Sequence, residues 1–141
     1  MPELLRSLVA QLREVVGNRR RARRYRASVP FRVSLHDPKQ GSEQLLHAPR
    51  LEGVTHDISA TGLGLVVPAI RINDRYLSTP DQTLRLLLQY PGATIEMHVI
   101  AVRYEQLDRE GASGGYLIGA RITWMSEADR THFESSLRQF S

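Results

Sequence analysis

Residues 51–67, which read LEGVTHDISATGLGLVV, decide the fold. Residues 51–58 and 62–67 carry β-branched and aliphatic side chains, which favour extended strands. Residues 59–62, Ser-Ala-Thr-Gly, are of the types that favour a tight turn. The stretch therefore predicts two antiparallel strands joined by a short turn.

Strands with a period of two lie on both sides of this pair. Their apolar side chains alternate with polar ones, as in half-buried strands, and loops rich in glycine and proline separate them. The six predicted strands are residues 29–35, 51–58, 62–67, 83–90, 94–104 and 116–124. Six antiparallel strands of this length predict a small barrel, because closure leaves no unpaired sheet edge.

A C-terminal helix is predicted directly after the sixth strand. Ser126 stands where an N-cap residue is expected, and Asp129 follows three positions later, as in a capping box. Apolar side chains then recur at helical spacing on one face, at Phe133, Leu137 and Phe140. This pattern predicts a helix over residues 126–140 that packs on the barrel.

A second amphipathic pattern lies at the N-terminus, in residues 3–16. Its leucines recur at spacings of three and four, at Leu5, Leu8 and Leu12. The predicted fold class is therefore mainly β: a six-stranded antiparallel β-barrel with a C-terminal α-helix and an additional N-terminal amphipathic helix. We divide the chain into residues 1–18, the N-terminal helix, and residues 19–141, a single domain. The parts of this domain are residues 19–27 (an arm), 28–125 (the barrel) and 126–140 (the C-terminal helix).

The charge of the chain is concentrated near its N-terminus. The net charge of the 141 residues is +4, but residues 1–32 alone carry +7 and the rest carries −3. A local concentration of cations favours a binding site for an anion over a generally basic surface.

Composition also excludes several classes of protein. The chain has no cysteine, which excludes disulfides, thiolate nucleophiles and cysteine-ligated metals. No apolar run approaches the ~20 residues of a membrane span, and the first residues lack the basic start and cleavage site of a signal peptide. We therefore expect a cytoplasmic protein without a membrane span.

Arginines fill most of residues 19–26, which read RRRARRYR. Their guanidinium groups pair bidentately with phosphate and stack on nucleobases, which lysine does not do. Runs of charge are often only solvated, and a basic arm can also bind nucleic acid without specificity. The lack of apolar periodicity predicts an extended or turning arm.

Asp57, Ser59 and Gly62 form a second group of interest. An aspartate carboxylate can accept both N1–H and N2–H₂ from the Watson–Crick edge of guanine, and a serine hydroxyl nearby can add a third hydrogen bond. An arginine can donate to O6 and N7 on the other edge of the same base. A strand end followed by a serine turn, with glycine at a positive φ, explains the same residue types without a ligand.

The pair of motifs Arg20-x-x-x-Arg24 and Asp57-x-Ser59-x-x-Gly62 resembles the signature of PilZ domains, bacterial receptors for cyclic di-GMP. The resemblance covers about residues 19–140 and implies a six-stranded barrel with a C-terminal helix. It further implies that Arg20 and Arg24 grip guanine and phosphate, that Asp57 and Ser59 hold a guanine, and that Gly62 permits the turn.

The arginine register is open, because Arg19 and Arg23 are also four positions apart. We prefer Arg20 and Arg24 from the family's usual spacing to the first strand, with Arg21 and Arg23 as supporting cations. Arg19 offers one more guanidinium, which could favour an intercalated pair of ligands.

The resemblance implies a cyclic di-GMP receptor. Six arginines in eight positions repel one another, so we expect the ligand to order the arm. The sequence shows no catalytic constellation, so we expect a non-enzymatic protein that signals through a partner protein or self-association. The partner would contact the N-terminal helix or the barrel surface. The alternative is a barrel that binds RNA or single-stranded nucleic acid through its basic arm, but only 6% of the residues are aromatic and no aromatic cluster marks a strand. The five histidines show no metal spacing, so we expect no metal, no catalytic residues and no cofactor besides the ligand.

Overall fold

The computed structural model describes residues 22–36, 49–72, 75–79, 81–107 and 115–140. The predicted N-terminal helix of residues 1–18 lies outside the described residues. Three of the predicted ligand-binding arginines lie outside them as well: Arg19, Arg20 and Arg21.

Nine strands and one helix make up the described part of the chain. They are β1 (Tyr25–Arg26), β2 (Pro30–Leu35), β3 (Arg50–Ile58), β4 (Gly62–Val67), β5 (Arg71–Ile72), β6 (Arg75–Tyr76), β7 (Leu84–Tyr90), β8 (Ala93–Gln106), β9 (Tyr116–Met125) and α1 (Glu127–Gln139). The six predicted strands correspond to β2, β3, β4, β7, β8 and β9, with ends that differ by two residues at most. The two-residue strands were not predicted, because two residues carry no period.

The six long strands close into an antiparallel barrel. Their order around it is β2, β7, β8, β9, β4 and β3, and β3 returns to β2. The closed six-stranded barrel with one C-terminal helix is therefore confirmed. Closure gives each long strand a hydrogen-bonded neighbour on both sides, which removes exposed edges.

One edge of β3 is shared by two strands. Its first part, residues 50–54, pairs with β2, and its last two residues, Asp57 and Ile58, pair with β1. The arm therefore pairs with the same edge of β3 as β2, the first long strand of the barrel. This arrangement brings the end of the arginine tract to the end of β3.

Apolar side chains from every long strand fill the barrel. Those that are at most 1% exposed include Phe31, Val33, Ile58, Leu63, Leu65, Leu84, Leu86, Leu88, Ile95, Met97, Val99 and Ile118. Two helix residues complete this cluster, since Phe133 is 0% and Leu137 is 8% exposed. Phe133 and Leu137 thus supply part of the core, as their spacing predicted. Phe140, the third residue of that pattern, is the C-cap of the helix and is 36% exposed.

Hydrogen bonds hold the start of α1, one within the helix and one to the barrel. The Ser126 hydroxyl accepts a hydrogen bond from Asp129 N at 3.1 Å, so the predicted N-cap is confirmed. The Asp129 carboxylate accepts from Glu96 N of β8 at 3.1 Å. Later in the helix, Ser136 Oγ donates to the Tyr90 hydroxyl at 3.1 Å. Burial raises the pKa of Tyr90, and the hydrogen bond from Ser136 opposes this rise.

We expect Phe133→Ala to lower the free energy of unfolding by about 3–5 kcal/mol, because it leaves a cavity among buried side chains. Phe140→Ala is the matched control, since Phe140 is 36% exposed and should cost about 1 kcal/mol or less. Denaturant unfolding of both variants measures the difference. Equal losses would contradict the role of α1 in the core.

Candidate ligand-binding site

A one-residue bulge in β3 sets the direction of Asp57. Thr55 and Ile58 pair with two core leucines of β4 that are only two positions apart, so β3 contains one extra residue here. Asp57 pairs with Gly64, which lies between those leucines and therefore faces outward. The bulge turns the Asp57 side chain to the outer face of the barrel and returns Ile58 to the core.

The Asp57 carboxylate is held from two sides. Its Oδ1 accepts a hydrogen bond from Arg24 Nη1 at 2.9 Å, and its Oδ2 lies 3.3 Å from His56 Nδ1. The Asp57 side chain is 10% exposed and that of Arg24 is 28% exposed. Water therefore screens this ion pair less than it screens a fully exposed one. Each carboxylate oxygen has a second lone pair that can accept a further donor.

The described end of the arm includes the second arginine of each register, Arg24 and Arg23. Arg24 precedes β1 and reaches Asp57, whereas Arg23 is exposed. The Arg23 guanidinium lies 6.0 Å from the centroid of the Tyr25 ring, within cation–π range. The geometry thus favours Arg24 over Arg23 as the arginine that faces the site.

Ser59 is occupied within its own turn. Its hydroxyl accepts from Gly62 N at 3.0 Å and from Thr61 N at 3.3 Å, and it donates to Gly62 O at 3.1 Å. The residue is 1% exposed. The Ser59 hydroxyl therefore stabilises the turn, and its direct contact with a guanine stays a prediction.

Gly62 is required for a reason that the sequence did not indicate. In the described part of the chain, the glycine with a positive φ is Gly92, not Gly62. A Cβ at Gly62 would lie 2.6 Å from the carbonyl oxygen of Ala120 in β9, which is too close. The absence of a side chain allows β4 and β9 to approach where β4 begins.

Gly64 contributes to the site, although sequence reasoning missed it. A Cβ at Gly64 would lie 2.6 Å from Asp57 Oδ1, so only glycine leaves space for the carboxylate in its observed position. The available signal was a glycine inside a predicted strand, which often marks a close approach by another group. The structure thus brings together four predicted residues, Arg24, Asp57, Ser59 and Gly62, and adds Gly64.

A separate aromatic stack lies on the outer wall of the barrel. The ring centroids of His36 and His98 are 4.2 Å apart, and those of His98 and Trp124 are 4.6 Å apart. Burial lowers the pKa of His98, and the nearby His36 adds to this effect. Among the residues that the structure describes, no group of three or more acids and histidines could hold a metal ion. Within the same ranges, no helix is long and apolar enough to cross a membrane.

We expect Gly64→Ala to lower the free energy of unfolding by about 1–3 kcal/mol, because the added methyl group must displace the Asp57 carboxylate. The same substitution in an Asp57→Ala background should cost at least about 1 kcal/mol less, since the clashing atom is gone. Denaturant unfolding of the two single variants and the double variant measures this coupling. Additive losses would contradict the contact.

Three solved structures have a similar fold, and the matches cover 86% of this chain in each case. The PilZ domain of YcgR from Escherichia coli with c-di-GMP has a TM-score of 0.61 at 11% identity, with 91% of that chain covered. MrkH, described as a c-di-GMP-dependent transcription regulatory factor, has a TM-score of 0.62 at 15% identity and 51% coverage. The Bacillus subtilis inhibitor of motility MotI/DgrA has a TM-score of 0.56 at 16% identity and 50% coverage.

These identities show likeness of fold alone, and the chain spans about half the length of MotI/DgrA and MrkH. No curated protein matches the chain in sequence. The family model described as PilZ domain matches residues 18–139, which is most of the chain. The chain therefore belongs to the PilZ domain family.

Proposed function

We propose that this protein is a non-enzymatic receptor for cyclic di-GMP. The observation that carries the proposal is the 2.9 Å contact between Arg24 Nη1 and Asp57 Oδ1. It joins the two sequence motifs on the outer face of a PilZ barrel, next to the turn formed by Ser59 and Gly62. The similar PilZ domain of YcgR was solved with c-di-GMP, which supports the choice of ligand.

The chemistry of the site suits a guanine base with phosphates. The free lone pairs of Asp57 can accept the N1–H and N2–H₂ donors of guanine while Arg24 donates to an acceptor of the same ligand. Arg24 meanwhile keeps the carboxylate in one orientation, so little rearrangement is needed on binding. Ser59 acts in this scheme by holding the turn beside the base.

The remaining arginines of the tract supply charge for the phosphates. Arg20 stands four positions before Arg24, and Arg19 and Arg21 flank it. Fixed cations this close together repel one another, and a dianionic ligand removes that repulsion. We propose that ligand binding orders this part of the arm, which would be an order–disorder switch.

Signalling in this proposal passes to a partner protein. The candidate contact surfaces are the amphipathic segment of residues 1–18 and the outer wall of the barrel. A receptor of this kind needs neither a cofactor nor catalytic residues, because its output is a change in what it contacts. We expect a receptor of this kind to be cytoplasmic.

Calorimetric titration with cyclic di-GMP, GTP and single-stranded RNA tests the proposal. Saturable binding of cyclic di-GMP, with much weaker binding of GTP, is the expected result. Tight and strongly salt-dependent binding of RNA, without cyclic di-GMP binding, would instead support a nucleic-acid-binding barrel. The fitted number of ligands per chain also decides whether the arm takes one ligand or an intercalated pair.

Arg24→Ala should weaken cyclic di-GMP binding by about 10- to 150-fold. This range corresponds to the loss of one hydrogen bond to a charged group, about 1.5–3 kcal/mol. Calorimetry measures the affinity, and circular dichroism checks that the barrel is retained.

Arg23→Ala is the matched control, because it removes an adjacent arginine that does not touch Asp57. We expect a smaller loss of affinity from this variant. Wild-type affinity in Arg24→Ala, or an equal loss in both variants, would contradict the assigned role of Arg24.

Asp57→Ala should weaken binding and also reduce the preference for cyclic di-GMP over cyclic di-AMP. Adenine lacks the N1–H and N2–H₂ donors that Asp57 accepts in the proposed complex, so the preference depends on this carboxylate. Titrations of the wild-type and variant proteins with both dinucleotides measure it. A variant that binds weakly but keeps the full guanine preference would show that Asp57 does not read the base.

A further inference from the structure

A buried threonine joins the arm to the barrel. Val29 N donates to Thr55 Oγ1 at 2.8 Å, and the same hydroxyl donates to Ala27 O. The backbone of Thr55 adds a third bond, from its N–H to Val29 O at 3.0 Å. Thr55 is 1% exposed, so water does not replace these partners.

The position of Thr55 along β3 explains why these bonds matter. The pairing of β2 with β3 ends at Val54, and the pairing of β1 with β3 begins at Asp57. Thr55 lies in the gap, where the chain passes from β1 to β2 through residues 27–29. Its side chain therefore supplies hydrogen bonds where the regular ladder is interrupted.

We propose that Thr55 is a positioning residue of the ligand site, which fixes the corner at residues 27–29 and so holds Arg24 against Asp57. Asp57 is two residues beyond Thr55 on β3, and Arg24 is three residues before Ala27 in the arm. One side chain thus links the strand that carries the carboxylate to the segment that carries the guanidinium. This inference rests on the proposed function of the site.

The chemistry of the residue fits the role. A hydroxyl can accept from Val29 N and donate to Ala27 O at the same time, which few side chains of this size can do. The β-branched side chain also restricts χ1, so the hydroxyl is held towards its partners. Strand β1 has only two residues, so its own pairing contributes little to fixing the arm. Without the corner, the ligand would have to order this segment on binding, which weakens affinity.

Thr55→Val removes both side-chain hydrogen bonds with almost no change of shape, and Thr55→Ser restores the hydroxyl. We expect Thr55→Val to weaken cyclic di-GMP binding at least tenfold by calorimetry, well below the unfolding temperature. Thr55→Ser should stay within about threefold of the wild type. Thr55→Ala removes the same bonds without a methyl group facing Val29 N, and it should reproduce the loss even if the valine variant does not fold.

Ser136→Ala is the control for a purely structural effect. It removes hydrogen bonds to Tyr90 and within α1 and leaves the arm untouched. This variant should lower stability without lowering affinity. Wild-type affinity in Thr55→Val and Thr55→Ala, or an equal loss of affinity in Ser136→Ala, would overturn the proposal.

Amide exchange of the ligand-free proteins separates this inference from the proposed function. Exchange at residues 25–29 should be faster in Thr55→Val and Thr55→Ala than in the wild type and Thr55→Ser, while β7 stays unchanged. Exchange at residues 25–29 that is unchanged in Thr55→Val and Thr55→Ala would contradict the claim that Thr55 fixes the arm. A wild-type protein that binds no cyclic di-GMP would overturn the proposed function, and the exchange rates would still decide whether Thr55 fixes the corner.

Discussion

The site depends on the way in which β3 satisfies its backbone hydrogen bonds. One edge of this strand serves β2 and then β1, and the other edge serves β4. Buried N–H and C=O groups must find partners. The point at which the pairing of β3 changes from β2 to β1 therefore fixes where the arm joins the barrel. The Thr55 hydroxyl supplies hydrogen bonds to residues 27 and 29 at this point, and the arm consequently lies beside Asp57.

The bulge on the other edge of β3 determines which side chain of β3 faces the arm. Without the extra residue, strict alternation could not place Ile58 in the core and Asp57 outside it while Thr55 pairs with a core leucine. The outward carboxylate then lies over Gly64, between Arg24 and His56. In the proposed complex the nucleotide meets this ion pair on the outer face of the barrel, away from the core side chains.

Sequence patterns predicted the six barrel strands and the N-cap at Ser126, because period-two alternation and capping are local properties. The motif residues Arg24 and Asp57 were predicted by resemblance to a family. A glycine inside a predicted strand signals a close approach, but the sequence does not show that the group approaching Gly64 is the Asp57 carboxylate of a neighbouring strand. The residue types allowed Ser59 either a serine turn or a ligand contact, and its observed hydrogen bonds are those of the turn. The two-residue β1 had no local signal, because two residues carry no period.

The most direct test of the account is a titration of isotope-labelled protein with cyclic di-GMP, followed by backbone amide chemical shifts. We predict that the shifts concentrate in residues 19–29 and 55–64, which are the arm and the part of β3 that it meets, with the turn after it. The amides of α1, which packs on another part of the barrel, should change little. Saturating shifts centred elsewhere, or no shifts at all, would contradict the claim that Arg24 and Asp57 form the binding site.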